Sequence, residues 1–178
     1  MTATTTLNRL IKKNPWPDEE LSLRARLGGL KGDDELFTLQ SILAKNGLDD
    51  AMWCLVAADA PAEAVHAFGR ACALDVARLW GAPPEVTEYL RTGDERLRDD
   101  ASSAIQTIRA AAFAANDVEV DLGAAWAAKA VTADATDVLY SAWVGAFIAA
   151  KSARRSWPHV EKRQRARFIA MFCTESAS

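Results

Sequence analysis

Apolar residues recur at three- and four-residue spacings along most of this chain, and runs in which Val, Ile, Thr or aromatic residues alternate with polar ones are missing. A chain patterned this way buries its apolar atoms by laying helix against helix. The expectation is an all-α fold without strands, a compact multi-helix bundle of antiparallel helical hairpins with about nine to ten helices. At 178 residues, half of them apolar and a quarter charged, the chain fits one globular domain of the usual span of about 100 to 200 residues. Residues 1–48 form a candidate N-terminal helical subdomain, and residues 174–178 should fray.

Breakers and caps divide the pattern. A first helix over residues 4–13 ends at Asn14-Pro15-Trp16-Pro17, where two prolines remove donors. Asp18, Glu19 and Glu20 open a second helix, and Gly28-Gly29 stops it. Asp33 or Asp34 should cap a third helix carrying Leu36, Phe37, Leu39, Ile42 and Leu43 and closed by Asn46-Gly47. Asp49-Asp50 should cap a fourth, with Met52, Trp53, Leu55 and Val56. Pro61 leads a longer helix whose stripe is Val65, Phe68, Cys72, Val76 and Leu79 and which ends at Trp80-Gly81. Pro84 opens a short helix with Val86, Tyr89 and Leu90, ending at Gly93.

A long helix over 94–116 follows, with Leu97, Ala101, Ala104, Ile105, Ile108, Ala112 and Ala115 on one side. Two more helices are expected over 122–132 and 137–152. Between Ala101 and Ala150 there are 18 alanines, small enough to let helix axes approach closely. Within that stretch Trp126 and Trp143 sit in two similar turns, a weak internal repeat. The last helix runs from about Ser156-Trp157-Pro158 to Phe172, with Val160, Phe168, Ile169, Met171 and Phe172 as its apolar share.

The stock of reactive groups is thin. His66 and His159 stand without metal-ligand spacing, and each is expected to be structural or solvated. Cys54, Cys72 and Cys173 lie far apart and read as buried small hydrophobes in a reducing compartment. Asp99-Asp100 reads as a solvated face, and Leu27-Gly28-Gly29-Leu30-Lys31-Gly32 matches no phosphate-binding pattern. No catalytic residue, cofactor or metal is expected.

The N-terminus lacks an apolar leader core, and 139–150, the longest nearly uncharged apolar stretch, is too short for the roughly 20 residues that span a bilayer. The expected location is therefore the cytoplasm, without membrane association. The formal charge of -3 argues against a surface that coats nucleic acid throughout. Charge is nevertheless unevenly spread: from Lys151 onward the chain carries +5, through Lys151, Arg154, Arg155, Lys162, Arg163, Arg165 and Arg167, and the other 150 residues carry -8. A basic face of this kind meets an acidic protein or phosphates, packs on the acidic remainder, or is merely solvated. Of the six tryptophans, Trp16 and Trp157 lie at proline corners where a ring can reach a partner.

Arg70-Ala71-Cys72-Ala73-Leu74-Asp75-Val76-Ala77-Arg78, the Pro-led short helix with Tyr89-Leu90-Arg91-Thr92-Gly93, and Ile108-Arg109-Ala110-Ala111-Ala112-Phe113-Ala114-Ala115 together resemble a family of alanine-rich helical proteins regarded as bacterial immunity proteins, with similar proteins in phage genomes. The likeness runs over roughly residues 53–172. Val76 stands where a second cysteine is common, and Gly81-Ala82-Pro83-Pro84 replaces an Arg-Pro-Arg-like segment. The resemblance implies a protein that binds and blocks another macromolecule without turnover.

The expected function is that of a non-enzymatic macromolecule-binding inhibitor, of immunity or phage counter-defence type, which occludes a partner protein such as a toxin or defence component. Its expected contact residues are Trp16, Arg154, Arg155, Trp157, Lys162, Arg163 and Arg167. The alternative is a nucleic-acid-associated protein that uses the basic C-terminal helix.

Overall fold

In the computed structural model, which describes residues 2–13, 34–117 and 157–174, the threonines near the N-terminus shorten the expected first helix. Thr4–Thr5 form strand β1, paired antiparallel with β2 (Phe37–Thr38), with Thr4 opposite Thr38 and Thr5 opposite Phe37. Branching at Cβ costs rotamer freedom in a helix and favours extended backbone. The expectation of a fold without strands is corrected here, by a ribbon too short to show as alternation. Helix α1 (Leu7–Lys13) begins only after it, and Thr6 Oγ1 accepts from the Arg9 N–H at 3.2 Å, satisfying an orphan donor of the first turn.

The chain groups into two units, Met1–Pro61 with Arg165–Ser178 and Ala62–Gln164. In the first, α2 (Leu39–Lys45) is capped by Thr38, whose Oγ1 accepts from the Ser41 N–H at 3.1 Å, so the cap expected of Asp33 or Asp34 is corrected. Asp34 instead accepts from Asn8 Nδ2 at 2.8 Å, which ties it to α1, and Asp33 lies outside the described residues. Helix α3 (Leu48–Cys54) starts directly after Gly47, whose φ of 95 lies where a side chain would be strained. That turn brings buried Leu48 into the helix and corrects the capping role of Asp49-Asp50: Asp50 is a buried helical residue that accepts from Asn46 Nδ2 at 3.1 Å. A 3₁₀ turn, Leu55–Ala57, follows.

The strip Ala3–Thr5 ties this unit together. Ala3 N–H donates to Phe172 O at 2.9 Å, Leu39 N–H to Ala3 O at 3.0 Å, and Asp59 N–H to Thr4 O at 2.9 Å. The Thr5 hydroxyl, itself buried, donates to Ala57 O at 2.8 Å. Leu10, Ile42, Met52, Phe168 and Phe172 are buried, and the two phenylalanine rings meet tilted, with centroids 5.3 Å apart.

In the second unit α4 (Ala62–Val76) buries Val65, Phe68, Cys72 and Val76, the expected stripe up to that point, together with Gly69 and Ala73. A 3₁₀ turn, Ala77–Leu79, follows. Gly81 at φ 69 and the bond from Ala82 N–H to Ala77 O at 3.0 Å then close the helix by a left-handed cap. Helix α5 (Pro84–Thr92) has Pro84 in its first turn and ends at Gly93, φ 68, whose N–H donates to Tyr89 O at 2.7 Å.

Asp94 caps a 3₁₀ turn, Glu95–Leu97, and α6 (Arg98–Ala114) continues from it. Ala73, Trp80, Val86, Tyr89, Leu90, Ala101 and Ile105 form one buried cluster, with Leu97, Ala104 and Ile108 packed at its edge. The Tyr89 hydroxyl beside the Arg98 guanidinium makes Arg98 hold its proton more tightly than usual. Of the long helix's expected stripe, only Ala115 is exposed. Helix α7 (Trp157–Phe172) gives its residues up to Gln164 to the second unit and the rest to the first.

Seven α-helices stand among the described residues, against about nine to ten expected for the chain. The expected helix after Pro17, those over 122–132 and 137–152, the Trp126 and Trp143 repeat and most of the alanine-rich stretch lie outside the described residues.

Candidate functional site

Two faces divide α7. Val160, Gln164, Phe168 and Phe172 recur every four residues and are all buried, whereas Lys162, Arg163 and Arg165 are exposed and Arg167 is half-buried. Gln164 is the exception in chemistry: it is 1% exposed, and neither atom of its amide has a hydrogen-bond partner. Arg165 reaches Leu43 O at only 3.5 Å, too long to hold the guanidinium firmly.

Within the second unit, the first turn of α7 and the end of α4 line a cleft of about 360 Å3. Its walls are Leu74, Asp75, Arg78 and Leu79 from α4 and its 3₁₀ turn, and His159, Val160 and Arg163 from α7. The 3₁₀ turn makes this geometry. Three residues per turn in place of 3.6 rotate the chain off the core stripe, so Leu79, expected among the buried residues, is 42% exposed. Arg78, in the same turn, is exposed and makes no hydrogen bond or ion pair among the described residues. Its charge near the last carbonyls of α4 suits the negative end of the helix dipole.

Asp75 is the acidic member of the cleft, its side chain 10% exposed. Arg163 Nε stands 3.7 Å from Asp75 Oδ1, a loose ion pair beyond hydrogen-bond length, and the Arg163 side chain remains 58% exposed. His159 is exposed and shares the cleft with Asp75, but no hydrogen bond joins them among the described residues. The described residues that line the cleft include no Ser, Thr or Cys. Among the described residues the cleft sets two guanidinium groups, a carboxylate and an imidazole beside an apolar wall.

A second open depression, near α1, is lined by Thr6, Asn8, Arg9, Lys12, Asp34 and Leu36. Its polar groups are largely committed, Arg9 to Asp59 at 2.6 Å and Asn8 to Asp34 at 2.8 Å. His66 is half-buried on α4 with Nε2 unpartnered, and it lines neither depression. The three cysteines are buried and form no disulfide, and burial pushes the Cys173 thiol above its usual range. Among the described residues no group of three or more His, Cys, Asp or Glu gathers as a metal site, and no helix is long and apolar enough to cross a membrane.

Of the residues singled out in the sequence, Trp16, Arg154 and Arg155 lie outside the described residues. Trp157 is the first residue of α7. Lys162 and Arg163 are exposed near one another on the first half of that helix, and only Arg163 enters the cleft. Asp75, Arg78, Leu79 and His159 were not among the expected contact residues. Arg78 and Leu79 directly precede Trp80-Gly81, and a helix end of that kind is the available signal that the stripe had stopped.

Compared with family models, with curated proteins and with solved structures, the chain matches none.

Proposed function

We propose that this protein is a non-enzymatic binding protein that docks on another protein in the cytoplasm and blocks it, in the manner of an immunity or counter-defence inhibitor. The observation that carries the reading is the cleft itself: Arg78 and Arg163 reach it from two different helices, beside a leucine left 42% exposed. Guanidinium groups next to uncovered apolar surface are what protein interfaces concentrate, since arginine is enriched among the residues that dominate binding energy. The surplus of +5 after residue 150 supports the same reading, because charge of one sign steers and orients an encounter. The resemblance of residues 70–78 and 108–115 to immunity proteins narrows binding to inhibition.

The alternative, nucleic-acid binding through the basic helix, has less behind it. A strand-binding groove wants aromatic platforms among its bases, and the described residues that line this cleft include a carboxylate and no aromatic residue. Capture from host lysate on the tagged full chain tests the proposal. The expected result is a specific protein retained in near-stoichiometric amount, with its activity suppressed in proportion to the chain added. Retention of nothing beyond an unrelated control, or of nucleic acid released steeply by salt, would overturn it.

A further inference from the structure

We propose that the cleft between the end of α4 and the first turn of α7 is a docking groove for an acidic peptide segment of a protein partner, one that presents a carboxylate side chain close to an apolar one. This rests on the binding reading above and adds the place and the chemistry.

The cations come first. Arg78 has no hydrogen bond or ion pair among the described residues, and Arg163 is held only by the 3.7 Å contact to Asp75. Both guanidinium forks can therefore turn to an incoming carboxylate, and a planar fork matches that group with two parallel bonds. The apolar wall comes second. Leu74 and Leu79 stand beside these cations, and Leu79 is 42% exposed, so an apolar side chain laid there removes surface from water on both partners.

The apolar wall decides between ligand classes. A free anion or a phosphodiester carries no apolar side chain to lay on Leu74 and Leu79, and would leave that surface in water. Cations and an apolar wall in one cleft together fit a short acidic-apolar peptide better than a free anion or a nucleic-acid strand.

Panning a random-peptide display library on the full chain tests this, with the recovered peptides then titrated by fluorescence anisotropy. The expected peptides place Asp or Glu within two positions of Leu, Ile, Met or Phe. Their affinity should fall about tenfold or more with Arg78→Glu, with Arg163→Gln and with Glu→Gln in the peptide, and stay unchanged with Lys45→Gln in the other unit. Recovered peptides without acidic residues, or binding indifferent to Arg78 and Arg163, would overturn the proposal. A short oligodeoxythymidine that binds the chain and is lost in the same variants would reassign the cleft to nucleic acid. If a host protein is captured and its retention survives both substitutions, the cleft fails and the binding reading stands. If the peptides behave as expected but no host protein is captured, the cleft stands and the inhibitor reading fails.

Discussion

Gln164 sits where the four-residue ladder of α7 calls for an apolar side chain, between Val160 and Phe168, and its amide is buried without a partner. Burying an unsatisfied amide costs about 1 to 3 kcal/mol by mutational measures. Gln164→Leu, similar in volume and without polar atoms, is therefore expected to stabilise the chain by about 1 to 2 kcal/mol in a urea titration; a loss of stability would show that the amide is satisfied in solution. Asp94 is the opposite case, a polar side chain fully employed. The Arg96 guanidinium (Nη2 at 2.6 Å) and the Arg96 backbone N–H (3.0 Å) hold its carboxyl below the ordinary carboxylate range. Because the folded-state value is the lower one, this contribution is complete above the ordinary range and is lost as pH falls through the folded value. Asp94→Asn should accordingly lower the melting midpoint at pH 7 more than at pH 3, measured by circular dichroism, and an equal drop at both would contradict the assignment.

Among the helices, α5 and α6 of the second unit both end on left-handed caps. Gly93 closes α5 at φ 68, and a Cβ built there would fall 2.5 Å from Arg70 Nη2. Asn116 closes α6 at φ 55, with Asp117 N–H donating to Ala112 O at 2.8 Å. Left-handed backbone costs an ordinary residue about 1 to 2 kcal/mol. Gly93→Ala is expected to cost at least that much, because the guanidinium must also move, and Asn116→Ala about 1 kcal/mol, with Asn116→Gly near neutral. Chemical denaturation of the three variants reads the order directly.

These ends were legible in the sequence, since Gly, Asn and Pro announce caps by their own conformational limits. The ribbon of β1 and β2 was not, because two residues per strand are too few to alternate. The rotation at Ala77–Leu79 was also hidden. Leu79 continues the spacing of Val76 and Cys72, and only a local tightening of the helix turns it outward.

At the scale of the whole molecule, the uneven charge was legible, and it led to Arg163 but past Arg78. A lone arginine on an apolar helix carries no distinguishing pattern until the fold sets a second cation beside the same cleft. What carries the proposed contact is the pair of guanidinium groups beside an uncovered leucine. On the proposed reading such a surface acts by occupancy, so its effect should saturate at one chain per partner and disappear on dissociation. The most direct measurement is the dissociation constant of the captured partner with the native chain and with the Arg78→Glu, Arg163→Gln double variant, each checked for an unchanged melting midpoint. The account predicts a loss of affinity of about a hundredfold, two charge-assisted contacts at roughly tenfold each. An unchanged constant in a fully folded double variant would contradict it.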